Sequence, residues 1–175
     1  MKLRFPPSKI QLYAQRYSYT RQETRLLEMR PSIQRVGLMT KQQLRLLAKW
    51  KSPRSAGLVE SNTEAYIREV SAFAFRTPED RARIESLTLL DGVSWPTASV
   101  VLHMFHRDPY PILDFRALWS VQTDVPKQYT FEFWKGYVDF CRAVAHRASI
   151  PMRVLDQALW QYSSENQPAR SVRYV

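Results

Sequence analysis

The chain has 175 residues, enough for one domain or for two small subdomains around a shared core, and a core of that size needs no covalent staple. Its single cysteine, Cys141, excludes an internal disulfide, a four-cysteine zinc site and a cysteine-held iron–sulfur cluster, so a reducing compartment and no metal or cofactor are expected. The net charge of +10 is lopsided: residues 1–60 hold 13 Lys and Arg against 3 Asp and Glu, whereas residues 61–175 hold 13 of each.

A basic block of this kind concentrates a polyanion and exchanges its counterions for Lys and Arg contacts, which makes nucleic acid the expected partner. An anionic membrane or an acidic protein surface would be drawn by the same field. No apolar run approaches the roughly 20 residues that span a bilayer, and the opening Met1–Tyr17 lacks the apolar centre of a signal peptide. The expectation is an intracellular, monomeric protein, cytoplasmic or nucleoid-associated, with no membrane contact.

Glycine is scarce at 4 residues, strand-like alternation is missing and helix-start signatures recur, so the fold class expected is all-α. In chain order, Tyr13, Tyr17 and Tyr19 fall in the basic N-terminal segment, where they can line a base pocket or pack. Thr20 with Glu23, Thr40 with Gln43 and Ser61 with Glu64 fit the capping box, in which two side chains satisfy unpaired N–H groups at a helix start. Lys49-Trp50-Lys51-Ser52-Pro53-Arg54 is a basic helix end and loop, suited to phosphate contact through Lys49, Lys51 and Arg54 or to simple solvation. Thr77-Pro78-Glu79-Asp80 is a further start, with Pro78 at the first helical position.

The helix from Pro78 is expected to reach Leu90 and stop at Asp91-Gly92, where glycine accepts a left-handed conformation. Ser94 then caps a second helix, Pro96 falls in its permissive first turn, and Ala98, Val101 and Leu102 continue an apolar face. A hairpin this tight either turns backbone N–H groups toward a phosphate or is an ordinary part of a bundle. His103 and His106 follow; with no third ligand evident they read as packed or solvated residues. Pro109-Tyr110-Pro111-Ile112-Leu113 restricts the backbone before Asp114, which precedes a helix over Phe115–Val121 and would cap it. Apolar stripes after Thr130 (Phe133, Trp134, Tyr137, Val138, Cys141) and after Pro151 (Val154, Leu155, Ala158, Leu159, Tyr162) mark two core helices, with Trp134 and Trp160 as packing residues.

The stretch Leu90-Asp-Gly-Val-Ser-Trp-Pro-Thr-Ala-Ser-Val-Val-Leu102 resembles the hairpin of helix-hairpin-helix DNA glycosylases. That pattern is leucine, any residue, Gly-Val-Gly, two variable residues, Thr-Ala and an apolar helix. Pro109-Tyr-Pro-Ile-Leu-Asp114-Phe-Arg-Ala-Leu-Trp119 is similar to the segment in which that family carries its catalytic aspartate, and Asp114 lies 18 residues after Pro96, the family's interval. The resemblance covers about 30 of the 175 residues. It departs from the pattern at Ser94, which replaces the second hairpin glycine, and at Pro96, where bifunctional members carry a lysine that attacks the sugar.

The resemblance implies two helical subdomains with the hairpin flanking a central cleft. It implies a single domain over 1–162, with a basic segment 1–60, a hairpin and catalytic segment 77–120 and C-terminal helices 130–162; residues 163–175 are expected as a flexible tail. It implies base excision on double-stranded DNA: base flipping into the cleft and hydrolysis of the N-glycosidic bond of a damaged or modified base. Strand cleavage is not expected, because Pro96 offers no amine. Gly92, Val93, Ser94, Trp95 and Thr97 would contact DNA, Tyr13, Tyr17 and Trp95 would line the base pocket, and Asp114 would be catalytic. The chemistry asks for such a carboxylate, since losing the base develops positive charge on the deoxyribose. Two other readings stay open on sequence: a non-catalytic helix-hairpin-helix DNA-binding protein, and a structural protein that docks an acidic partner through residues 1–60.

Overall fold

The computed structural model describes residues 1–168, and within them the protein is all-α, with no strand. The α-helices are α1 Ile10–Arg16, α2 Arg21–Val36, α3 Lys41–Lys51, α4 Glu64–Arg76, α5 Asp80–Leu87, α6 Trp95–Phe105, α7 Phe115–Ser120, α8 Phe131–Arg147 and α9 Met152–Asn166, with short 3-10 turns at Pro7–Lys9 and Ala56–Ser61. None of these helices is long and apolar enough to cross a membrane.

Local capping chemistry sets most of the starts. Thr20 Oγ1 accepts from Glu23 N at 3.2 Å while Glu23 Oε2 accepts from Thr20 N at 3.5 Å, and Thr40 and Gln43 repeat the arrangement at 3.3 and 2.8 Å. Thr130 caps α8 by accepting from Phe133 N at 3.2 Å. The box expected at Ser61 and Glu64 does not form. Residues up to Ser61 complete a 3-10 turn, and buried Asn62 commits its side chain to the hairpin, donating to Asp91 O and accepting from Asp91 N, each at 3.0 Å. The helix therefore starts at Glu64 behind Thr63, whose Oγ1 accepts from Tyr66 N at 3.1 Å. Pro78 likewise stands outside α5, before its N-cap Glu79, because the Arg83 guanidinium holds the Thr77 carbonyl in the preceding turn.

Helix α6 is the central strut. Every residue from Thr97 to Phe105 is buried, and α2, α3 and α5 pack around it. The other neighbourhood is built on α9, which packs against α1, α7 and α8. Trp134 has no solvent exposure and stacks on Tyr110 at 5.7 Å, as a packing residue should. At the C-terminal end, α9 continues to Asn166, and Ser163 is fully buried with its hydroxyl donating to Gln167 Oε1 at 2.6 Å. The expected flexible tail therefore does not begin at 163, and its last part, 169–175, lies outside the described residues.

Candidate active site

Asp114 is delivered by a backbone whose polar groups are held by buried side chains. Tyr110 O accepts from His103 Nδ1 at 2.7 Å, Ile112 N donates to Asp156 Oδ1 at 3.0 Å, Ile112 O accepts from the Tyr137 hydroxyl at 3.0 Å, and Leu113 N donates to Ser99 Oγ at 2.8 Å. Each bond satisfies a group that would be costly to bury alone, so the extended run between α6 and α7 has little freedom. Asp114 Oδ1 then accepts from Ala117 N at 2.8 Å and caps α7. Its second oxygen, Oδ2, faces Lys51 Nζ at 3.5 Å, with the two side chains 19% and 12% exposed.

This carboxylate opens onto a cleft of about 610 Å³. One wall is the end of α3, with Trp50, Lys51, Ser52 and Arg54, and the start of α6 at Pro96; the other is Tyr17, Asp156 and Trp160, and Phe115, Val125 and Tyr129 close the rim. Tyr17 and Trp160 meet edge to face at 5.4 Å, and the Arg116 guanidinium lies 5.1 Å from the Trp160 ring centre. Behind the wall a chain of polar groups fixes Tyr17 and Asp156. The Tyr17 hydroxyl donates to Glu23 Oε2 at 2.9 Å, fully buried Glu23 pairs with Arg153, and Arg153 reaches Asp156 Oδ2 at 3.3 Å. Burial pushes the Tyr17 hydroxyl up to about 12, and burial first and the charge of Asp114 second raise Tyr129. Both phenols therefore stay neutral donors through the physiological range.

The hairpin turn is held against the Ala56–Ser61 segment. Gly92 adopts φ +80°, and a Cβ there would stand 3.0 Å from Val59 N and 3.1 Å from Ser55 O. Gly92 is half-buried and Ser94 is exposed, and both are within reach of a ligand. Val93 turns its side chain into the core, and Thr97 is fully buried, its hydroxyl 3.3 Å from Ser52 Oγ. Both side chains are thus turned from solvent, and the phosphate contact expected of this turn falls to its backbone N–H groups. Trp95 packs toward Trp134, with ring centres 6.4 Å apart, and does not line the cleft.

No significant match is found among protein-family models, curated proteins or solved structures.

Elsewhere the expectations divide. Tyr17 lines the cleft, whereas Tyr13 sits in an aromatic cluster with Phe5 and Tyr162, at 5.0 and 5.1 Å, because α1 turns that face toward α9. Lys49 and Arg54 are exposed; Lys51 is turned inward to Asp114 and is not a free phosphate contact. His103 and His106 are packed, the first between Tyr110 O and Arg153 Nη1, the second against Arg83. Sequence reasoning missed Asp156, Tyr129 and the Lys51–Asp114 pair, and read Trp160 as a packing residue ahead of any role in a ligand site. For Asp156 one signal existed, an acid inside the apolar stripe of α9, since a charge on a core face needs a buried partner.

Proposed function

We propose that the protein is a DNA N-glycosylase that takes an extruded base into the cleft and hydrolyses its N-glycosidic bond, leaving an abasic site. The observation that carries this reading is the division of labour within Asp114: one oxygen caps α7 and fixes the carboxylate, while the other faces a cleft large enough for a base. A fixed negative charge there offsets positive charge on the deoxyribose as the base departs, and it orients the attacking water. Aromatic faces at Tyr17, Tyr129 and Trp160 suit a stacked base, and the exposed cations Arg54, which lines the cleft, and Lys49, on the same end of α3, suit the flanking phosphates. In this reading the protein acts as an intracellular monomer on duplex DNA, in base excision repair or on modified foreign DNA, with no cofactor.

The test is single-turnover base release on a panel of modified duplexes, alongside a binding isotherm, for the wild type and Asp114→Asn. The amide still caps α7 but lacks the charge, so release should fall by about two orders of magnitude or more while affinity holds level or rises. Equal rates remove Asp114 from the reaction. One feature favours a second reading, a DNA-binding protein without turnover, because Lys51 partly neutralises the carboxylate. Tight binding with no base released from any duplex would establish that alternative.

A further inference from the structure

At the opposite end of α6 from the cleft, four arginines and no lysine line a second pocket, of about 420 Å³. Arg35 comes from the last turn of α2, Arg76 closes α4, Arg83 belongs to α5 and Arg107 follows α6. Pro96 lines the cleft and Phe105 the pocket, which separates the two by roughly 14 Å along the axis of α6 at 1.5 Å per residue. Helix α2 repeats the relation, with its N-cap Thr20 at the cleft and Arg35 at the pocket. Arg35, Arg76 and Arg107 are exposed, and none of them is paired with an acid among the described residues. Asp108, the acid on this lining, has a side chain 62% exposed, with Oδ2 3.8 Å from His106 Nδ1.

Around Arg83 the donors outnumber the acceptors. Its side chain is recessed, 5% exposed, and its Nε is buried with no hydrogen-bond partner among the described residues, 4.0 Å from Asp80 Oδ1. Its Nη2 donates to Thr77 O, and its Nη1 meets His106 Nε2. Burial first and the Arg83 charge second hold His106 below its ordinary pKa, and a neutral ring has one acceptor nitrogen. Two donors compete for it, since Nδ1 already accepts from Asp108 N at 2.9 Å. A buried donor left unpaired is costly, so the cluster is short of an acceptor. We propose that this pocket is a phosphate site for a small free anion, of the class of pyrophosphate or a phosphate monoester, separate from the cleft. Planar guanidinium forks pair with phosphate oxygens two at a time, and the four together supply the charge that a multivalent anion needs. The oxygen lone pairs make good the shortage around Arg83. A recessed Arg83 with half-buried Phe75 on the same lining suits a ligand small enough to enter, whereas the hairpin that we propose seats a duplex stands at the other end of α6.

The experiment is calorimetric titration of the full chain with pyrophosphate at constant ionic strength, and it needs no base to be released. The wild type should bind one pyrophosphate with a saturable isotherm. Replacing Arg76 and Arg107 by Gln removes two exposed charges and leaves Arg83 in place, so the urea midpoint should hold while affinity falls by about tenfold or more. Arg35→Gln should weaken binding in the same direction. Replacing Lys49 and Arg54, at the cleft end, should leave the affinity as it is. Absence of a saturable isotherm, equal affinity in the Arg76 and Arg107 double variant, or a loss confined to the Lys49 and Arg54 variant overturns the proposal. A second titration adds a saturating 20-base-pair duplex. Pyrophosphate affinity should be unchanged; if the duplex displaces pyrophosphate, the occupant is a backbone phosphate and the free ligand is ruled out.

Discussion

Gly92 carries two constraints at one position, a left-handed φ of +80° and a backbone neighbour 3.0 Å from where a Cβ would stand. Gly92→Ala should therefore lower stability by about 1–3 kcal/mol, read as a reduced denaturant midpoint, and should weaken duplex binding because the turn must shift off the Ala56–Ser61 segment. A variant with an unchanged midpoint would show that the turn relaxes without cost. His106 makes a prediction of opposite character. Burial first, and the Arg83 charge second, hold its pKa below the ordinary 6.5, so the unfolded chain binds the proton more readily. The stability linked to this residue is present above pH 6.5 and is lost as the pH falls through the depressed folded value. Denaturant titrations across that acid range should show a decline that His106→Asn flattens; identical slopes would remove His106 as its source.

The helix starts at Thr20, Thr40 and Thr130, the left-handed Gly92 and the cap at Asp114 were all legible in the sequence, because each depends on residues within about four positions. The start expected at Ser61 failed for a physical reason that lies outside that range: Asn62 is bonded to Asp91, and no local pattern reports a partner 29 residues away. The cleft repeats the lesson. Asp114 announced itself by spacing, but Lys51, Asp156 and Trp160 reach it only through the packing of α3 and α9, and Trp160 carries the same apolar period whether it faces a core or a cleft. Among these elements, α9 hydrogen-bonds the extended run before α7 through Asp156, whose Oδ1 accepts from Ile112 N. Asp156→Asn keeps an acceptor for Ile112 N but removes the charge opposite Arg153, so it should cost about 1–3 kcal/mol of stability. Urea unfolding of the two proteins measures this, and a change below a few tenths would show that Glu23 alone satisfies Arg153.

The surplus positive charge of residues 1–60 is distributed unevenly by the fold. Lys41 and Arg45 pair with Glu60, Arg16 pairs with Glu165, and Lys51 pairs with Asp114, whereas neither Lys49 nor Arg54 is paired with an acid among the described residues. Replacing Lys49 and Arg54 by Gln should flatten the slope of log affinity against log salt by up to about two units, one for each phosphate that is no longer neutralised. Adding Lys51→Gln to that pair should change the slope little, since an inward, paired ammonium releases no counterion. A slope that moves only when Lys51 is replaced would reverse this assignment.

The N-terminal segment is also fastened to later parts of the chain, α9 above all, by bonds that span most of its length. Arg4 Nε bonds to Trp119 O over a separation of 115 residues, Arg153 meets Glu23 over 130, Gln157 meets the Tyr19 hydroxyl over 138, and the Tyr162 hydroxyl reaches Arg4 O over 158. Closing such loops is among the slowest parts of folding, because most of the chain must be ordered before the contacts form. On the ribosome, the cationic first third and the hairpin emerge well before α9, the helix that completes the pocket. A nascent chain of this protein thus presents its surplus positive charge before it has a finished cleft, which forms only when α9, the last helix among the described residues, supplies Asp156 and Trp160.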